Sequence, residues 1–275
     1  MKNRKVLIIA KTMEIIGINN IGLCLNKIIH GKKYIRAINY HSTPKHTINQ
    51  FEKQMEYYSK HYTPVSKQDL ERLLKGEWNK DKPGLIISFD DGLESNYKYA
   101  RPILEKYNFV GWFFVPTGLI GKGYCKNEHR TGETFEKYMD WEQVRDLHKN
   151  HIIGCHTLTH QRLKNELNEN VLKEQILYSK ELLEQKLNKE VDVFCWVGGG
   201  KESYSEKASN IIKDSNYRYA FLTNHYPIKP GNNPLQLERT NIEADWPIYL
   251  IKFYTSFFMD IRYHRKRTEV RKILG

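Results

Sequence analysis

The chain has 275 residues, of which 40% are hydrophobic, 12% aromatic and 28% charged, and 44 Lys and Arg against 32 Asp and Glu give a net charge of +12. These are ordinary globular proportions, which exclude a disordered, collagenous or coiled-coil chain, and the length suits one large domain or two small ones. No run of 18 apolar residues occurs, so no spanning helix is expected; the lysines are scattered beside Glu and Asn rather than gathered among aromatics, which argues against nucleic acid as a partner.

In chain order, residues 1–33 read as an N-terminal extension. Met-Lys-Asn-Arg-Lys is a positive start, but the apolar run Val6 to Ala10 ends at Lys11, short of the roughly 7–15 residues of a signal-peptide core. A cytoplasmic chain is therefore expected, with a peripheral place at the inner membrane as an option and secretion the weaker alternative. Short apolar runs at 34–40, 84–89, 110–115, 151–155, 191–197 and 218–223 read as strands. Between them lie amphipathic helices. Ile48, Phe51, Met55 and Tyr58 share one helical face. Ser66 with Asp69 and Asp140 with Gln143 are capping pairs; Leu172, Ile176, Leu183 and Leu187 line a long helix, and Ser203 with Glu206 is expected to open another. Strand–helix alternation argues for a parallel α/β architecture, best fitted by a single-domain (β/α) barrel over 34–245 with its site at the strand C-termini. An open doubly wound sheet remains the alternative. Residues 246–275 read as an aromatic and basic C-terminal helix, with Phe253, Tyr254, Phe257 and Phe258 before Arg262, Arg265, Lys266, Arg267, Arg271 and Lys272. That order suits an anionic polysaccharide or a membrane surface, or a helix packing its aromatics inward. Cys24, Cys125, Cys155 and Cys195 form no CxxC pair and read as reduced, mostly buried thiols.

Two motifs carry chemistry. The run Ile86-Ile87-Ser88-Phe89 ends in Asp90-Asp91-Gly92, and two adjacent carboxylates repel unless a cation is near or one stays protonated. A simple Asp-Gly turn leaves the first Asp unexplained. The second is His156-Thr157-Leu158-Thr159-His160, whose histidines four apart at a strand end can face one divalent ion. Alone that spacing is weak; with Asp90-Asp91 it makes an Asp-His-His site, suited to zinc and a hydrolytic water, plausible on chemical grounds.

These residues resemble the NodB-homology polysaccharide deacetylases, carbohydrate esterase family four. Ser88-Phe89-Asp90-Asp91-Gly92 is similar to the family's (T/S)-F-D-D-G motif and His156 to His160 to its H-(S/T)-x-x-H motif. Asn39-Tyr40-His41, Pro102-Ile103-Leu104, Trp112-Phe113-Phe114-Val115 and Met139-Asp140-Trp141 extend the resemblance. It implies a deformed (β/α) barrel that removes N-acetyl groups from amino sugars of a surface polysaccharide or its precursor with a bound divalent metal, zinc being the expected ion. By the same resemblance, Asp91, His156 and His160 are the metal ligands and Asp90 the general base. Tyr40-His41 is similar to an element of the biofilm poly-N-acetylglucosamine deacetylases, which makes His41 the general acid, with His225 the alternative. Trp141 and Trp196 are expected against substrate. The family's third motif departs here: Phe194-Cys195-Trp196-Val197-Gly198-Gly199-Gly200 has no Arg. Arg239, in Leu237-Glu238-Arg239, is a candidate to take that place and is grouped with the substrate contacts. A saccharide-binding barrel that has lost turnover is the competing reading.

Overall fold

The computed structural model describes residues 4–126 and 135–275. Eleven strands occur among them: β1 (Ile35–Tyr40), β2 (Thr63–Pro64), β3 (Gly84–Phe89), β4 (Gly111–Val115), β5 (Tyr124–Lys126), β6 (Phe135–Lys137), β7 (Ile152–Cys155), β8 (Val193–Cys195), β9 (Tyr219–Leu222), β10 (Leu237–Glu238) and β11 (Thr240–Asn241). The main sheet runs β10-β9-β8-β7-β4-β3-β1-β11, with β2 added beside β3, and every pairing in it is parallel. The two end strands belong to one extended segment, 237–241, that pairs with β9 before Arg239 and with β1 after it. This single segment nearly closes the sheet into an eight-stranded deformed (β/α) barrel.

All six sequence-based strand assignments coincide with barrel strands, to within a few residues at their ends. Strand alternation sorts the side chains into two layers. Ile35 and Ala37 of β1, Ile86 of β3, Trp112 and Phe114 of β4, Val193 and Cys195 of β8 and Tyr219 and Phe221 of β9 fill the barrel interior. Their neighbours Ile38, Tyr40, Ile87, Phe89, Phe113, Phe194, Ala220 and Leu222 face the surrounding helices. The strand N-terminal end is plugged by Val65, by Leu70 and Leu73 of the helix Lys67–Leu74, and by Trp78. Apolar packing at that pole leaves the opposite one to carry polar groups.

Both capping pairs read from the sequence form as reciprocal boxes, Ser66 with Asp69 and Asp140 with Gln143. The helix expected to open at Ser203 instead runs Glu206–Asp214, and its capping side chain is Ser205, because 201–203 is spent on a tight turn. The C-terminal segment is three short helices, Ile248–Tyr254, Phe257–Arg262 and His264–Leu274, rather than one. Phe253 is buried, Tyr249, Tyr254 and Tyr263 pack against the core, Phe257 and Phe258 are half-buried, and Arg267 is buried with Nη1 donating to the His225 carbonyl at 2.9 Å. The extension forms two helices, Arg4–Ile15 and Ile18–His30, laid on this C-terminal layer. Behind them the Arg36 guanidinium, pointing out of β1, makes a fully buried bidentate pair with Asp260 at 2.7 and 2.8 Å.

Candidate active site

The C-terminal ends of β1, β3, β7 and β8 converge on one polar cluster. Asp90 continues the inward phase of Ile86 and Ser88, so its carboxylate enters the top of the barrel interior, where it is buried. Asp91 and Gly92 then adopt left-handed backbone, with φ of 71° and 65°. Asp tolerates that region and Gly enters it without a Cβ penalty. The kink separates the two carboxylates, which explains how adjacent like charges are accommodated: Asp90 turns into the barrel and Asp91 turns to the rim.

At the rim, Asp91 Oδ1 lies 3.4 Å from His156 Nε2 and 3.0 Å from His160 Nε2. The backbone reaches this arrangement through two further left-handed residues, Thr157 at 61° and His160 at 60°. A β-branched residue there is strained, and such strain persists where surrounding structure imposes it. His156 Nδ1 is 3.0 Å from the Cys195 carbonyl, which fixes this ring nitrogen as the donor and turns Nε2 toward Asp91. Asp91, His156 and His160 each offer one ligand atom, all within 4.8 Å of one another. A carboxylate and two imidazoles suit a divalent ion that keeps open positions. Asp90, His156 and Cys195 form a second such group. It is the poorer donor set: burial pushes the Cys195 thiol well above its ordinary value, and both Asp90 oxygens are already engaged.

The group that engages them is Arg239. Fully buried at the point where the closing segment passes from β9 to β1, it donates from Nη1 and Nη2 to Asp90 Oδ1 and Oδ2, each at 2.8 Å. Nη1 also reaches Asn39 Oδ1 at 3.1 Å and Ser88 Oγ at 3.0 Å, and Nη2 reaches Cys195 Sγ at 2.8 Å. The Phe114 ring lies 5.2 Å from the guanidinium carbon. Asn39 Nδ2 completes the cradle with a 2.9 Å hydrogen bond to Asp90 Oδ2. Burial opposes ionisation of Asp90, but the Arg239 guanidinium, with His156 and His41 nearby, outweighs it and holds the carboxyl below its usual range. Arg239 thus sits behind the carboxylate with no face open to a substrate, which corrects its grouping with substrate contacts and gives it the orienting place left vacant in the third motif.

His41 follows β1 directly. Since Tyr40 pairs with Phe89, His41 and Asp90 emerge side by side, and Asp90 N donates to the Tyr40 carbonyl at 3.0 Å. Asn96 Nδ2 holds the His41 carbonyl at 2.8 Å. His225, the alternative acid, is buried with its ring stacked 4.0 Å from that of Tyr263. Burial, with Arg36 and Lys266 nearby, lowers its pKa to about 3. Burial thus disfavours the protonated form of His225 that a proton donor needs, whereas His41 emerges beside Asp90.

One aromatic assignment is at odds with the structure. Trp196 is one residue beyond the inward-facing Cys195, so alternation turns it outward, where it is buried against Phe194 and Tyr204. Trp141, half-buried, opens the helix Trp141–His148 two residues after Met139, whose N–H donates to the Gly92 carbonyl at 2.8 Å, so its segment borders the Asp90-Asp91-Gly92 turn. Conversely, Asn39 and Cys195 received no role from the sequence. The signal for Asn39 was its register: it pairs with Ser88, two residues before Asp90. Cys195 had the inward phase that Trp196 lacks.

Residues 77–220 match the family model described as polysaccharide deacetylase. The poly-beta-1,6-N-acetyl-D-glucosamine N-deacetylase of Staphylococcus aureus (strain N315) is 24% identical over 220 residues, which are 76% of this chain and 71% of that protein. YxkH of Bacillus subtilis (strain 168), named as a polysaccharide deacetylase, is 23% identical over 176 residues; the match takes in 63% of this chain and spans 57% of that protein's length. Among solved structures, the Streptococcus pyogenes deacetylase PplD in complex with acetate shares the fold with a TM-score of 0.67 at 21% identity, over 81% of this chain and 98% of that one. IcaB from Ammonifex degensii gives 0.64 at 18% identity, over 84% and 98%.

Proposed function

From the premise that this chain belongs to the polysaccharide deacetylase family, we propose that it is a metal-dependent N-deacetylase of a polymer rich in N-acetylglucosamine, of the poly-beta-1,6 type, or of its precursor. The observation that carries the reading is the Asp90 carboxylate, held ionised by Arg239, beside three metal-type donors that lie within 4.8 Å of one another. The S. aureus relative and the Tyr40-His41 element support the choice of sugar.

The donor set fits a divalent cation, and Asp91, His156 and His160 would hold it. A bound cation, with zinc the ion best suited to one carboxylate and two imidazoles, supplies Lewis acidity toward water and toward a carbonyl oxygen. The chain's own residues do the rest. Arg239 and Asn39 fix Asp90 in one orientation, and Asp90 accepts the proton of the attacking water as the water oxygen bonds to the acetyl carbon. His41, emerging beside Asp90, gives a proton to the sugar nitrogen as the C–N bond breaks, so acetate and a free amine leave. The buried neighbours Cys195, Ser88 and Phe114 keep water away from the underside of the carboxylate.

The test is acetate release from soluble poly-β-1,6-N-acetylglucosamine oligomers by zinc-loaded protein. Asp90→Asn removes the proton acceptor and is expected to lose about 10²-fold or more of the rate while still retaining zinc. A wild-type protein that holds zinc, binds the oligomer and releases no acetate would overturn the reading in favour of a saccharide-binding barrel.

A further inference from the structure

The second N-terminal helix wears its amphipathic pattern inside out. On Ile18–His30 the buried residues are Asn19, Gly22 and Asn26, while Ile21, Ile28 and Ile29 face outward. The buried amides are bonded: Asn19 Nδ2 donates to the Ala10 and Tyr249 carbonyls at 3.1 and 3.2 Å, and Asn26 Nδ2 to the Thr255 carbonyl at 2.7 Å. On Arg4–Ile15, Ile8, Ile9 and Ile15 are exposed, and Ile16 continues the patch into the turn. Ile15 and Ile28 are 75% and 72% exposed. A folded chain in water rarely leaves so many large aliphatic side chains exposed on two adjoining helices.

The segment that carries the patch is basic. Residues 1–33 contain seven Lys and Arg and a single acid, Glu14. Glu14 is itself neutralised by Lys252 at 2.6 Å. Lys11 and Lys27 are exposed on the same two helices.

The dimensions fit a helix pair lying on a bilayer rather than crossing one. The helices have 12 and 13 residues, so each is only about 18 to 20 Å long, against roughly 30 Å of hydrocarbon. No single described helix is long and apolar enough to cross a membrane; the two together are, by length and composition alone, but they meet at an 80° bend. Straightening the pair would tear it from the C-terminal layer, where any Cβ at Gly22 would stand 2.9 Å from the Phe258 ring.

We propose that this helix pair is the docking surface for an anionic lipid bilayer, its isoleucines entering the boundary between headgroups and acyl chains and its lysines pairing with lipid phosphates. This places the proposed membrane contact at the N-terminal helices rather than at the aromatic and basic C-terminal segment.

The test is co-sedimentation of the full chain with phosphatidylcholine vesicles that contain or lack phosphatidylglycerol, at low and high salt. Wild type is expected to pellet with the anionic vesicles and to be partly released by salt. Ile15→Ser/Ile28→Ser is expected to weaken partitioning about tenfold or more. Lys11→Glu/Lys27→Glu should weaken it on anionic vesicles only. Thermal unfolding of each variant checks that the barrel is intact, since all four residues are at the surface. Wild type that stays in the supernatant with anionic vesicles would overturn the proposal. So would a self-associated wild type in sedimentation velocity whose association, but not whose lipid binding, is lost with the isoleucines; the face would then belong to a second copy of the chain. Neither outcome depends on whether the barrel releases acetate.

Discussion

Arg239 shows how one side chain sets the chemistry of another. Without it, burial would push the Asp90 carboxyl upward; with it, the carboxyl is ionised and fixed by two parallel hydrogen bonds. Arg239→Met is expected to move the acid limb of the kcat/KM profile to higher pH and to lower the plateau by about 10²-fold. It should also cost about 3–5 kcal/mol of stability, because a buried charge loses its partner. An unshifted acid limb would mean that Arg239 acts only as packing. Asp90, Asp91, His156 and His160 were legible because each motif is compressed into a few residues at a strand end. Arg239 was harder to place, since it reaches Asp90 from the far end of the chain by way of barrel closure. Trp196 was misplaced for a different reason: its motif suggested a substrate contact, whereas strand parity, readable from Cys195, turns it away.

Among the elements, the long strands and the capped helices declared themselves. Ser66 with Asp69 and Asp140 with Gln143 satisfy helix N-termini by local bonding that depends on nothing distant. The two-residue strands β2, β10 and β11 are too short for any period to register, and their pairing is decided by the strands they lie against. The C-terminal helix divides because Thr255 and Ser256 turn their hydroxyls onto the Ile251 and Phe253 carbonyls, ending the first helix, while Asp260 is fixed on Arg36. That last pair ties β1 to the outer layer. Asp260→Ala leaves the Arg36 guanidinium buried without its carboxylate, and urea unfolding is expected to show a loss of about 3–5 kcal/mol. A loss below about 1 kcal/mol would show that the Thr255 carbonyl, 3.2 Å from Arg36 Nη2, is partner enough.

For the molecule as a whole, buried titrating groups shape its response to acid. His225 has a folded pKa of about 3 against an ordinary value near 6.5, so between these the unfolded chain binds more protons and stability falls as pH drops. The depressed Asp90 carboxyl adds a loss of the same sign at lower pH. Glu238 works the other way: burial raises it to about 7, so its contribution grows as pH falls through that value. The His225 share is isolated by His225→Asn, which keeps a residue tolerant of the left-handed backbone there, with φ of 50°. Wild type is expected to lose up to about 1.4 kcal/mol more per pH unit than this variant across the window from 6.5 toward 3. Equal slopes in parallel urea titrations would show that His225 is protonated in the folded state.

The central claim is that Asp91, His156 and His160 hold a cation on which deacetylation depends. The most direct measurement strips the protein with chelator, then follows acetate release and bound metal together as zinc is returned, with His156→Ala beside wild type. The account predicts no release from stripped protein and full recovery at about one bound equivalent in wild type. His156→Ala should show neither retention nor recovery. Release by the stripped protein, or one zinc bound equally by wild type and His156→Ala, would contradict it.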